Sequence, residues 1–185
     1  MGSSGRRKIL CALGLFVIIV LIAVLVAVFF YAKKDNGVVA RATCALVGSM
    51  NGTLVLEEFD DGTRVEGLFH EVPFGTHAIH VHEFGSTGNH CEESGGHYNP
   101  FNVHHGGPHD EIRHIGDWGN FEVTGIPFML VFNDPVARLT GDIAIINRSI
   151  VIHKGVDDYG RGNTSASKIN GNAGPRLACC VIIEA

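Results

Sequence analysis

The chain has 185 residues, with 14 Lys and Arg against 19 Asp and Glu, a formal net charge of −5 at pH 7. From Asn36 onward there are 9 basic and 18 acidic residues, a formal −9. That balance argues against nucleic acid as a partner, because phosphate backbones are bound by clustered cations.

Residues 9–32, ILCALGLFVIIVLIAVLVAVFFYA, are 24 residues without a charge, flanked by Arg6, Arg7 and Lys8 on one side and Lys33 and Lys34 on the other. At about 1.5 Å per residue a helix of this length crosses a hydrocarbon core of about 30 Å. A cleaved secretory signal has a shorter apolar centre and ends on small residues, whereas this run closes on Phe29, Phe30 and Tyr31. It reads as an uncleaved transmembrane signal anchor, with a cleaved and secreted form as the alternative. The basic flanks favour a cytoplasmic N-terminus of residues 1–8. A linker, 33–39, then leads to one domain, 40–185, in the lumen or outside the cell; about 150 residues can bury a core of their own. Asn51, Asn147 and Asn163 each open an N-glycosylation triplet. The five cysteines, Cys11 in the span and Cys44, Cys91, Cys179 and Cys180 beyond it, suffice for one or two bridges in an oxidising compartment.

Beyond the linker the periodicity is that of strands. ATCALVG (42–48), GTLVLEEF (52–59), RVEGLFHEV (64–72), THAIHVHEF (76–84), GNFEV (119–123), PFMLVF (127–132), SIVIH (149–153) and ACCVIIEA (178–185) are short, rich in branched and aromatic residues, and bounded by Gly, Asn, Asp or Pro. No helical period is sustained. An antiparallel sandwich or barrel with Greek-key connections follows. Two long irregular segments, 85–119 and 154–177, interrupt it, and loops of that length are rare in compact domains unless function or ligation orders them.

Nine of the 11 histidines lie between His77 and His114. In a strand, His80 and His82 share a face and stand close enough to grip one atom. His97, His105, His114, Asp117 and His153 complete a set of imidazoles with one carboxylate, suited to copper and zinc. Metal binding could order the loop that carries most of them.

The segments HVHEFG (80–85), GGHYNP (95–100), HGGPHDEIRHIGDWGN (105–120) and GNAGPRLACCVI (171–182) resemble the signatures of copper/zinc superoxide dismutases, in order and spacing, over nearly all of residues 40–183. The resemblance implies an all-β, eight-stranded antiparallel Greek-key β-barrel of immunoglobulin-like sandwich topology, with the active site outside it between the two long loops. It implies copper on His80, His82, His97 and His153, and zinc on His97, His105, His114 and Asp117, with His97 bridging the two. Asp157 would link a copper histidine to a zinc histidine, Cys91 and Cys179 would form a disulfide, and Arg176 would receive superoxide. His97 and Arg176 would be the catalytic pair. By the same resemblance Cys44 is a buried free cysteine, while Cys180 stands where glycine is usual and its role is open. His77 is structural, and His70, His90, His104 and His109 match no ligand position.

The implied activity is disproportionation of superoxide to dioxygen and hydrogen peroxide. Two other readings compete: a non-enzymatic metal-binding or interaction domain of the same fold, and a copper-delivery protein, for which no CxxC-type thiolate site is present. Lys154, Arg161, Lys168 and Arg176 against Asp157 and Asp158 give the second long loop a net +2 within the acidic domain, predicting a positive funnel for an anion. Lys154, Thr164, Ser165, Ile169, Pro175 and Ala78 depart from the familiar pattern. The stretch around Asn147 aligns with the family's apolar homodimer face, so a glycan there and that dimer exclude one another.

Overall fold

The structure, a computed structural model, describes residues 37–185. The expected membrane span at 9–32 lies outside the described residues, among which no helix is long and apolar enough to cross a membrane. Residues Val38–Ala185 form one compact unit.

That unit is built from β1 (Ala40–Ala45), β2 (Val47–Gly48), β3 (Asn51–Phe59), β4 (Gly62–Glu71), β5 (Gly75–His82), β6 (Asp117–Val123), β7 (Phe128–Asp134), β8 (Ser149–His153), α1 (Ser165–Asn170), β9 (Arg176–Val181) and β10 (Ile183–Glu184). Two five-stranded antiparallel sheets result, ordered β10-β1-β3-β4-β7 and β2-β9-β8-β5-β6. Apart from the divided first and last strands, the chain crosses between them at β4–β5, β6–β7 and β7–β8, a Greek-key sandwich.

Ten strands stand where eight were expected, because the first and last each change sheet. β1 pairs with β3 and β10, then beyond Leu46 the chain joins the other sheet as β2 against β9. β9 makes the reverse passage at Ile182 into β10. The second unexpected element is α1, a six-residue helix in the second long loop. Thr164 caps it, its hydroxyl accepting from Ser167 N–H, as an N-cap should.

Side-chain alternation places Leu54, Leu56, Val65, Phe69 and Leu130 of the first sheet against Ile79, Val81, Ile150, Ile152 and Ala178 of the second, all in one buried cluster. Phe69, Phe121 and Phe128 stack at 5.7 to 6.1 Å between ring centres. Each such side chain contributes roughly 1.5–3 kcal/mol by leaving water.

Cys44 and Cys180 are both fully buried in this core and are joined in a disulfide, with Cα atoms 5.4 Å apart. This corrects the expectation of a free Cys44. Cys91 and Cys179 form the expected disulfide, with Cα atoms 5.9 Å apart. Adjacent residues of a strand face opposite ways, so Cys179 looks out to the first loop while Cys180 looks in to β1.

Candidate metal centre

In β5 the inward Ile79 and Val81 belong to the core, which turns His80 and His82 to the outer face. Opposite them on β8 lie Val151 and Ser149, and β8 ends on His153, whose cross-strand neighbour is Arg176. The first long loop returns to pair His97 against His82. All residues of β8, and Ala78–His82 of β5, are buried: the sandwich covers one face and the loops cover the other.

Two groups of four side chains result. His80, His82, His97 and His153 bring one ligand atom each to within 4.8 Å of one another, as do His97, His105, His114 and Asp117. His97 belongs to both. All seven expected ligands are therefore gathered, and the His80 and His97 rings lie 4.0 Å apart.

The hydrogen bonds fix which nitrogen of each ring faces its group. His82 and His153 donate from Nδ1 to the carbonyls of Gly95 and Gly174 at 2.8 and 3.0 Å. Their Nε2 atoms, left as bare acceptors, face each other at 3.2 Å. His80 donates from Nε2 to Asp157 at 2.9 Å, leaving Nδ1 without a partner, as is Nε2 of His97. In the second group His105 donates from Nε2 to Asp157 at 2.7 Å and His114 from Nε2 to the carbonyl of Val103 at 3.0 Å. Their Nδ1 atoms, with that of His97, close around Asp117 Oδ1 at 2.8 to 3.0 Å. In the first group lone pairs aimed at one another in a buried space are costly unless a cation lies between them, and in the second a proton or a metal ion must lie between the nitrogens and Asp117. Imidazole nitrogens and one carboxylate suit copper and zinc, so the residues fit the metals.

Burial drives the pKa shifts. Desolvation lowers His80 to about 4, against the pull of Asp157, and lowers His153 to about 4. It lowers His97 to about 3, with His80 adding to the effect, and carries His82 well below its usual range. These rings are neutral at pH 7, the form that binds metal. Burial also opposes charge on His105, but hydrogen bonds to Asp117 and Asp157 on its two nitrogens outweigh it and raise this ring to about 9. Although burial disfavours their charge, Asp117 and Asp157 are held well below the carboxylate range by the surrounding histidines.

Asp157 is itself fixed from three sides. Asn120 donates to its carbonyl at 2.9 Å and accepts its N–H at 2.8 Å, while Tyr159 N–H donates to Oδ1 at 2.7 Å. Gly171, at φ +64°, lets the backbone pass close: a Cβ there would lie 1.9 Å from Asp157 Oδ1 and 2.6 Å from His105 Nε2. The sequence reading missed Asn120 and Gly171, whose roles arise only where the two loops meet.

Arg176 is held with its guanidinium against the first loop, donating to the carbonyl of Cys91, to Ser94 Oγ at 2.9 Å and to the carbonyl of Gly95 at 2.6 Å. The Gly95 carbonyl also orients His82, which ties the arginine to the ligand group. Of the other cations on the second loop, Lys154 is exposed, Lys168 donates to the carbonyl of Gly160, and Arg161 pairs with Asp110 at 3.0 Å. That pairing reduces the positive excess expected from the loop's own residues, because Asp110 comes from the other loop.

His70, His90, His104 and His109 are exposed and join neither group. His77 is buried between Pro73 and His153, with a ring nitrogen on each carbonyl at 3.0 and 3.2 Å, a structural role as expected. Asn51, Asn147 and Asn163 are all exposed.

A histidine shared between two buried four-ligand groups on a Greek-key sandwich is the arrangement of a dinuclear metal centre. The copper/zinc superoxide dismutase (SODC) family profile matches residues 50–182. The chain is 42% identical over 151 residues to "Superoxide dismutase [Cu-Zn] 4" of Dictyostelium discoideum, covering 78% of this chain and 98% of that protein. It is 43% identical over 145 residues to "Superoxide dismutase [Cu-Zn] A" of Xenopus laevis, covering 77% and 96%. It is 45% identical over 132 residues to "Extracellular superoxide dismutase [Cu-Zn]" of Caenorhabditis elegans, covering 71% of this chain and 60% of that protein. Among solved structures, "Crystal Structure Analysis of the clock protein EA4" superposes with a TM-score of 0.74 at 35% identity, covering 79% of this chain and 95% of that one. The chain belongs to the copper/zinc superoxide dismutase family of oxidoreductases.

Proposed function

We propose that His80, His82, His97 and His153 hold the copper of this superoxide dismutase, and that His97, His105, His114 and Asp117 hold the zinc. Bound there, copper would supply one-electron redox chemistry, and zinc, which has none, would order the loop. Two superoxide anions and two protons become one dioxygen and one hydrogen peroxide. Arg176 attracts and orients each anion beside His153, a cation prealigned by three loop acceptors. His97 holds and returns a proton at Nε2, while Asp157 keeps His80 and His105 turned to their groups.

One observation carries the assignment: His97 belongs to both four-ligand groups, with Nδ1 on Asp117 and Nε2 buried without a partner. The test is to measure copper and zinc per chain and to assay superoxide removal before and after selective copper withdrawal. Activity should vanish with copper and return with it; activity that survives withdrawal overturns the assignment.

We further propose that residues 9–32 anchor the chain in a membrane, with residues 1–8 cytoplasmic and the dismutase domain lumenal or extracellular. The uncharged length of the run and its basic flanks support this. Extraction with alkaline carbonate, which strips peripheral proteins and leaves spanning ones in the membrane, tests it. The exposure of Asn51, Asn147 and Asn163 supports glycosylation in that compartment. Exposed Phe84 and Ile183 support a homodimer, which a glycan on Asn147 would preclude.

A further inference from the structure

Arg148 belongs to neither ligand group, yet one guanidinium touches the chain beside two of the ligands. Its Cζ lies 3.4 Å from the centre of the Tyr98 ring. Its Nη1 donates to the Glu83 carbonyl at 2.7 Å and its Nε to the Ala144 carbonyl at 3.1 Å. Tyr98 directly follows His97 in the chain, and Glu83 directly follows His82.

The two segments are laid side by side by a short ladder. Glu83 N–H donates to the Gly96 carbonyl at 2.9 Å and Tyr98 N–H to the Val81 carbonyl at 2.8 Å, around the His82–His97 bridge. The Tyr98 carbonyl then accepts from Gly116 N–H at 3.1 Å, next to Asp117. Three stretches that carry ligands of both groups thus converge on Tyr98, which is only 5% exposed. His97 itself sits on a loop, outside every named strand. A ring that must present one nitrogen to each of two groups tolerates little sliding of its backbone. Arg148 closes the convergence from above, with a cation on the ring face, where the attraction is strongest when water is excluded, and a planar fork across two carbonyls that lysine cannot reproduce.

We propose that Arg148 is a positioning residue for His97, holding the bridging imidazole in register with both groups through Tyr98 and Glu83. This rests on the assignment of His97 to both metals.

The test loads copper in the first group and cobalt(II) in place of zinc in the full chain. Two paramagnetic ions joined by one imidazole are exchange-coupled, so the copper EPR signal is suppressed only while His97 bridges. Arg148→Met should release an uncoupled copper signal and weaken cobalt and zinc binding about 10-fold or more, the scale on which partners behind metal ligands act. Arg148→Lys should fall between it and the unaltered chain, and Tyr98→Leu should match Arg148→Met. Should Arg148→Met not fold, Arg148→Lys and Tyr98→Leu carry the same comparison. Coupling and metal affinity unchanged in these variants, with only the melting temperature lowered, would overturn the proposal. Absence of coupling in the unaltered chain would instead remove the bridge itself.

Discussion

The two sheets bury the same kind of inner face and treat their outer faces oppositely. β3 alternates exposed and buried positions along most of its length, and across its outer side Val55, Leu68 and Val131 are at least 40% exposed. β8 is buried at every position. Its inner Ile150 and Ile152 pack in the core, while outer Val151 and His153 lie under the loops. The first sheet is a wall whose outer side is free to vary. The second is the floor of a site, where buried polar groups find partners in one another and in the loops, leaving His80 Nδ1 and His97 Nε2 open to a metal.

The contrast can be broken at its centre. His97→Ala removes a ligand from both groups but no side chain from the apolar cluster, so superoxide removal should fall by about 100-fold or more while the fold survives; metal content and circular dichroism check the two halves. Replacing Cys44 and Cys180 together by alanine acts on the core shared by both sheets. A bond across 136 residues should leave, when lost, a chain about 2–5 kcal/mol less stable, measured by denaturant unfolding with metals bound.

Acid separates the two sheets by charge. In the metal-free protein His80, His97 and His153 have folded pKa values of about 4, 3 and 4, below the ordinary 6.5 of an unfolded chain. Their contribution is therefore present above pH 6.5 and is lost as the pH falls toward 4 and 3. His105, raised to about 9, contributes below pH 6.5 and loses its share as the pH rises through 9. Stability of the metal-free protein should peak near neutrality and fall by several kcal/mol on the acid side, seen as a melting temperature that drops toward pH 4. A smaller effect is expected of Asp157→Asn, which keeps the size of the side chain but not its charge. Metal affinity should fall about 10- to 100-fold, measured by competition with chelators. Smallest of all is Leu68→Thr on the outer side of the first sheet, expected within about 0.5 kcal/mol and without effect on activity.

The seven side chains that gather in the two groups were legible because metal chemistry is written in residue type and spacing: His80 and His82 share one face of a strand, and the seven donor types survive any detail of loop path. The inner faces were legible through alternation. The pairing of Cys44 with Cys180 was not, since it depends on which strands face each other across the core. Nor does periodicity register the passages at Leu46 and Ile182, because a strand that changes sheets keeps alternating in sequence. α1 is too short for a helical period to declare itself. Arg148, Asn120 and Gly171 belong to no pattern at all; their meaning comes from a ring, a carboxylate and a backbone brought together by folding. Arg161 shows what counting charges by segment leaves out: its cation belongs to one loop and its partner Asp110 to the other.

The bond between Cys44 and Cys180 makes almost the whole dismutase domain a covalent ring. Exposed loops are where proteases cut, and a cut anywhere from residue 45 to residue 179 leaves both fragments attached through that bond. A nicked molecule would migrate as a single species on a denaturing gel without reductant and fall into two pieces only when reductant is added. Wherever proteases reach this domain, damage to a loop would then break a peptide bond without releasing a strand.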